Sequence, residues 1–99
     1  SGANCSRVQE VRQQAERIRR ALEDLESAVR SGKADAMEMA CNEVEASGAN
    51  CSRVQEVRQQ AERIRRALED LESAVRSGKA DAMEMACNEV EASGANCSR

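Results

Sequence analysis

Residues 1–53 of this chain are identical, position for position, to residues 47–99. An unchanged repeat of 46 residues narrows the choice of folds more than any motif does. Ser1–Ala46 is one unit, Ser47–Ala92 is a second, and Ser93–Arg99 begins a third. Whatever supersecondary structure the first unit adopts, the second is expected to adopt again. Units of such a size bury their apolar faces by stacking on one another.

Within a unit the apolar spacing is helical. Val8, Val11, Ala15, Ile18, Leu22, Leu25 and Val29 follow one another at alternating intervals of 3 and 4, an unbroken heptad seam. Ala21 and Ala28 lie beside the seam and allow close packing. The intervening charges are spaced for pairing along the helix: Glu16 with Arg20, Arg19 with Glu23, Arg20 with Asp24, Glu26 with Arg30. This predicts a long helix over about 5–30 and its copy over 51–76. Gly32 supplies the left-handed residue that ends many helices, and Arg30 places a cation where the helix dipole favours one. A short helix follows over about 34–46, copied over 80–92, with Asp35 in its first turn. Its stripe is Met37, Ala40, Cys41 and Val44. Met39 lies off that stripe, which predicts that the short helix touches neighbours on two sides.

The joint between units, "EVEASGANCSR", reads in two ways. As a turn, Gly48 ends the short helix and Asn50 caps the next long one. Glu43 and Glu45 then sit at a helix C-terminus and Arg53 at an N-terminus, each with the wrong sign for the dipole. As a continuous helix from about Ala34 to Arg76, that objection disappears, but Gly48 costs roughly 1 kcal/mol against alanine in mid-helix. The turn is the preferred reading.

The perfect copy, together with the Ser-Gly pairs at Ser31-Gly32, Ser47-Gly48 and Ser77-Gly78, resembles computationally designed α-helical tandem-repeat proteins. The resemblance covers the whole chain. It departs from that family in lacking polar capping units at the ends. Fold class is therefore expected to be all-α, as tandem repeats of a long helix plus a short helix forming an elongated helical bundle or solenoid.

The unequal lengths set the geometry. At 1.5 Å per residue the long helix spans ~39 Å and the short one ~18 Å. An antiparallel short helix covers about half of the long one, so the next long helix starts ~20 Å further along. The expected product is a climbing rod in which successive long helices overlap in parallel. Val54, Val57, Ala61 and Ile64 are then buried by the neighbouring long helix. Both ends of the rod expose unfilled seams, and Ser93–Arg99 is too short to cover one.

Composition excludes several function classes. The balance of 15 basic and 18 acidic residues is mildly acidic and interspersed, with no footprint for nucleic acid or an anionic membrane surface. No apolar run approaches the roughly 20 residues of a membrane span, no targeting signal is legible, and the sequence assigns no compartment. With no His, Pro, Trp, Tyr or Phe, the core must be built from small and aliphatic side chains.

The candidate chemistry is sparse. Cys5, Cys51 and Cys97 are expected at long-helix starts, and Cys41 and Cys87 inside short helices. No two are spaced C-x-x-C, and no histidine is present to complete a zinc site or activate a thiol. They are read as small buried hydrophobes, with disulfide staples as the alternative. Met37, Met39, Met83 and Met85 are read as core filling. Arg17, Arg19 and Arg20 lie within a turn of Glu16, Glu23 and Asp24, which makes a salt-bridged solvent face more credible than a phosphate site. The acidic pairs among Glu16, Glu23, Asp24 and Glu26 lack an expected cleft. "SGK" at Ser31–Lys33 lacks the upstream glycine and strand of a phosphate loop.

The sequence therefore predicts no catalytic residues, no metal, no cofactor, no small-molecule substrate, no nucleic acid and no membrane. It predicts a structural scaffold or self-assembling building block that associates end to end or laterally. The competing reading is a module that takes a partner helix into an open groove.

Overall fold

A computed structural model describes residues 5–96. Their fold is all-α, with α1 Cys5–Ser31, α2 Ala34–Ala46, α3 Arg53–Ser77 and α4 Ala80–Ser93. The molecule measures 73 × 20 × 16 Å and has a radius of gyration of 19.2 Å, whereas a compact domain of similar length has ~13 Å. Cys97, expected at a long-helix start, lies outside the described residues.

The joint is a turn. Gly48 has φ +89°, a left-handed backbone that excludes a helix running through it. Serine has its own task here. The Ser47 hydroxyl donates to the Val44 carbonyl at 2.6 Å. At the turn between α1 and α2, the Ser31 hydroxyl donates to the Ala28 carbonyl at 2.6 Å and accepts from the Lys33 amide at 3.2 Å. One hydroxyl thus satisfies a terminal carbonyl and steers the next residues out of the helix.

Two details of the joint differ from expectation. Asn50 is not the cap, and α3 does not begin at residue 51. The helix begins at Arg53, preceded by Ser52, which makes no side-chain capping bond. Ala49 and Cys51 instead pack against the core. Burying these two apolar residues holds the connector against the bundle and delays the helix. The dipole objection is met by side chains from other helices. The Arg53 guanidinium bonds both Glu26 carboxylate oxygens on α1, at 3.0 and 3.1 Å, and Glu56 on its own helix. Arg58 takes Glu45 at 2.6 Å.

These contacts also give the directions. Arg58 meets Glu45 while Arg65, seven residues on, meets Glu38 and Asp35; α2 and α3 are therefore antiparallel. Gln14 Nε2 donates to the Ser47 carbonyl at 3.4 Å, so α2 ends beside the middle of α1. The residues of α1 before Gln14 extend below it, with Val8 and Val11 exposed. One repeat higher, an added Cβ on Gly94 would lie 2.7 Å from Gln60 Nε2, just as one on Gly48 would from Gln14. The second joint rests on the first turn, with the Asn96 amide donating to the Gly32 carbonyl at 3.1 Å. The climb per unit thus runs from the level of Gln14 to that of Gly32, about 18 residues of helix or ~27 Å. This exceeds the ~20 Å expected, because the connector climbs before α3 starts.

The close helix pairings run in chain order: α1 with α2, α2 with α3, α3 with α4. The long helices do not pack chiefly on each other, as the rod expectation had it. The short helix lies between them, since Met37, Ala40, Cys41 and Val44 form a stripe wide enough to serve both. All four are buried, with Ala21, Leu25 and Ala28 of α1 on one side and Val54, Val57, Ala61 and Ile64 of α3 on the other.

Candidate functional site

The exact repeat places identical residues in two environments, and every difference between copies therefore comes from the neighbours. Val54 and Val57 of α3 are 4% and 0% exposed, while Val8 and Val11 of α1 are each 48% exposed. Ala61 and Ile64 are buried, whereas Ala15 and Ile18 are only partly covered. Residues 8–18 of α1 thus repeat the apolar surface that α3 presents to α2, with Val8 and Val11 open and Ala15 and Ile18 only partly covered.

The upper end shows the complementary deficit. Met37 and Cys41 are fully buried, whereas Met83 is partly covered and Cys87 is exposed. Leu25 is buried and its copy Leu71 is not. Val75 is 55% exposed and Leu68 also faces solvent. The groove between α3 and α4 has the same side chains as the groove between α1 and α2, without the helix that fills the latter.

Charges follow the same pattern. Pairs along a helix join Arg53 to Glu56 at 3.1 Å, Arg7 to Glu10 at 3.5 Å, and Arg19 to Glu16 and Arg66 to Glu62 at 3.9 Å each; the last repeats the expected Glu16–Arg20 pair one unit on. Glu26 makes its hydrogen-bonded ion pair with Arg53, while Arg30, the partner its spacing suggested, adds only a weaker attraction. The Arg53 guanidinium keeps the Glu26 carboxyl below the usual glutamate range and is itself raised by Glu26 and Glu56. Arg65, the copy of Arg19, clamps Glu38 at 2.6 Å and Asp35 at 2.8 Å. The arginine cluster read as a solvated face is therefore, in the second unit, partly a clamp between helices. Register between helices decides this, and periodicity along one helix carries no record of it.

The cysteines divide by environment. Cys41 is buried and donates to the Val54 carbonyl at 3.7 Å. Burial pushes its thiol up, away from the nucleophilic thiolate, with Glu45 and Glu38 adding to the effect and Arg58 opposing it. Cys51 is partly covered, while Cys5 and Cys87 are exposed. The reading as small buried hydrophobes holds for Cys41 and fails for Cys5 and Cys87, which lie on the uncovered ends. Met39 and Met85 are each 72% exposed, so neither fills the core; α2 does touch neighbours on two sides, α1 and α3, but through its buried stripe and not through Met39. Met39 sits off a stripe that already meets both flanking helices, and Met85 off the copy of that stripe, which has α3 alone as a close partner among the described residues.

One acidic pair was missed. Glu43 on α2 faces Asp24 on α1, and its pKa is raised by desolvation first and by the Asp24 carboxyl second. Glu89 and Asp70 repeat the arrangement. Both pairs line shallow, solvent-open grooves between the paired helices, of about 730 and 500 Å³. Among the described residues no group of three or more His, Cys, Asp or Glu side chains is arranged to hold a metal ion. Ser31–Lys33 forms the α1–α2 turn, with the Gly32 carbonyl taken by Asn96. No helix among the described residues is long and apolar enough to cross a membrane.

Compared with known protein families, curated proteins and solved structures, the chain has no match.

Proposed function

We infer that this chain is a structural repeat scaffold of designed origin, built to extend by self-association and without a catalytic role. The observation that carries this reading is the pair of complementary open faces. The first half of α1 at one end and the α3–α4 groove at the other are copies of two surfaces that bury each other inside the chain. Designed origin rests on the undrifted repeat. Natural repeats diverge between units.

The energetics favour weak, concentration-dependent association. Covering a half-exposed valine contributes about 1 kcal/mol, and a handful of aliphatic side chains contribute several. Association costs on the order of 4–15 kcal/mol in lost freedom. The balance predicts assembly at raised concentration. Sedimentation velocity from low micromolar to millimolar protein tests it: mass should grow with concentration without added ligand. A constant monomer mass would remove the self-assembly reading. A monomer that captures an added amphipathic peptide would establish the helix-binding module instead, for which the same α3–α4 groove is the favouring feature.

A further inference from the structure

We propose that the α3–α4 groove receives residues Val8–Ile18 of a second copy, in the register that α2 gives to Val54–Ile64. The inference rests on the self-assembly reading and specifies its contact.

The register follows from the repeat. Shifting a second copy so that its α1 continues where a third long helix would run places its Val8 and Val11 over α4, as Val54 and Val57 lie over α2. Its Arg19 then reaches Asp81 and Glu84, because Arg65 reaches Asp35 and Glu38 at 2.8 and 2.6 Å. Its Asn50 amide reaches the Gly78 carbonyl, because the Asn96 amide reaches that of Gly32 at 3.1 Å. Gly78 is ready for this approach. A Cβ on Gly32 would lie 2.6 Å from the Asn96 amide nitrogen, whereas one on Gly78 meets nothing within 4 Å.

The contact is confined to Val8–Ile18 of the incoming α1, where Val8 and Val11 are exposed and Ala15 and Ile18 are partly covered.

Three measurements test the register. Gly78→Asn keeps a residue that tolerates the left-handed backbone while filling the approach of the second copy's Asn50. It should weaken self-association by about tenfold or more with helicity unchanged. Arg19→Glu and Glu84→Arg should each weaken it by a similar factor, and mixing the two variants should restore it, which keeps the test valid should Gly78→Asn lose helicity. With Cys5→Ser, Cys51→Ser and Cys97→Ser in one chain, Cys87 should react rapidly with a thiol reagent when dilute and slowly when assembled, approaching the slowness of Cys41. Association that ignores Gly78→Asn and the charge exchange and leaves Cys87 reactive would overturn this register while leaving self-assembly standing. A chain monomeric at every concentration would overturn both.

Discussion

At the residue scale, the two copies act as controls for each other. Gly32 and Gly78 share the same sequence context and the same left-handed backbone, at φ +68° and +69°. Alanine at either position costs ~1–2 kcal/mol for that conformation alone. Only at Gly32 does the new Cβ also meet the backbone of Gly94–Asn96. Gly32→Ala should therefore lower stability by ~1–3 kcal/mol more than Gly78→Ala, as overpacking against a backbone does. Urea denaturation at concentrations where the chain is monomeric would measure the difference, and equal losses would show that the second joint does not rest on the first turn. Isoleucine offers the same comparison in the core. Ile64 is 1% exposed, and Ile64→Ala should cost ~2–5 kcal/mol. Ile18→Ala, at a partly open site, should cost only about 1 kcal/mol under the same conditions.

At the element scale, the ion pair between α1 and α3 gives stability a pH dependence. Arg53 holds the Glu26 carboxyl below its ordinary pKa. The stabilisation is thus present above the unfolded glutamate pKa and fades as pH falls through the lowered folded value. Both side chains are nearly half exposed, at 39% and 47%, so screening keeps the contribution to about 0.5–1 kcal/mol. Glu26→Gln should be less stable than the parent by that amount at neutral pH, and the two should converge in strongly acid solution. Raised salt should narrow the gap as well. Glu43 opposes this trend: with its pKa raised by desolvation and Asp24, it favours the folded state at low pH and loses that contribution as pH rises. The two long helices were legible from the seam of Val8 to Val29 and the two short ones from the stripe of Met37, Ala40, Cys41 and Val44, because such a period depends on one helix alone. The start of α3 was not, because it depends on where Ala49 and Cys51 find the core. The Glu26–Arg53 and Glu43–Asp24 contacts were not legible either, since each needs the offset between two helices. The open faces were half legible: uncovered seams at the ends follow from unequal helices, while the exposure of Cys87 and Met39 depends on which faces of the short helices meet a neighbour.

At the scale of the whole molecule, burial is concentrated in the middle of the rod. The core joins the second half of α1, all of α2 and the first half of α3. Amide hydrogen exchange should be slowest in α2 and in residues 54–67. It should be faster by orders of magnitude in the first two turns of α1 and in α4, whose outer faces lack neighbours. Uniform protection along the chain at low concentration would contradict the burial pattern. Protection spreading to α4 and to Val8–Ile18 at high concentration would mark the two ends closing on each other.

The resting of the second joint on Gly32 has a consequence for arrays of any length. A chain of two units holds a single filled groove and two raw ends; each further unit adds one more filled groove and no new end. The penalty of the ends is therefore a fixed overhead, divided among ever more units. Stability per residue should climb steeply from two units to three and then level off, as nearest-neighbour coupling requires. Nothing in this geometry sets a last unit, so the length of such an object is decided by how many copies are written into the gene or how many chains are in solution.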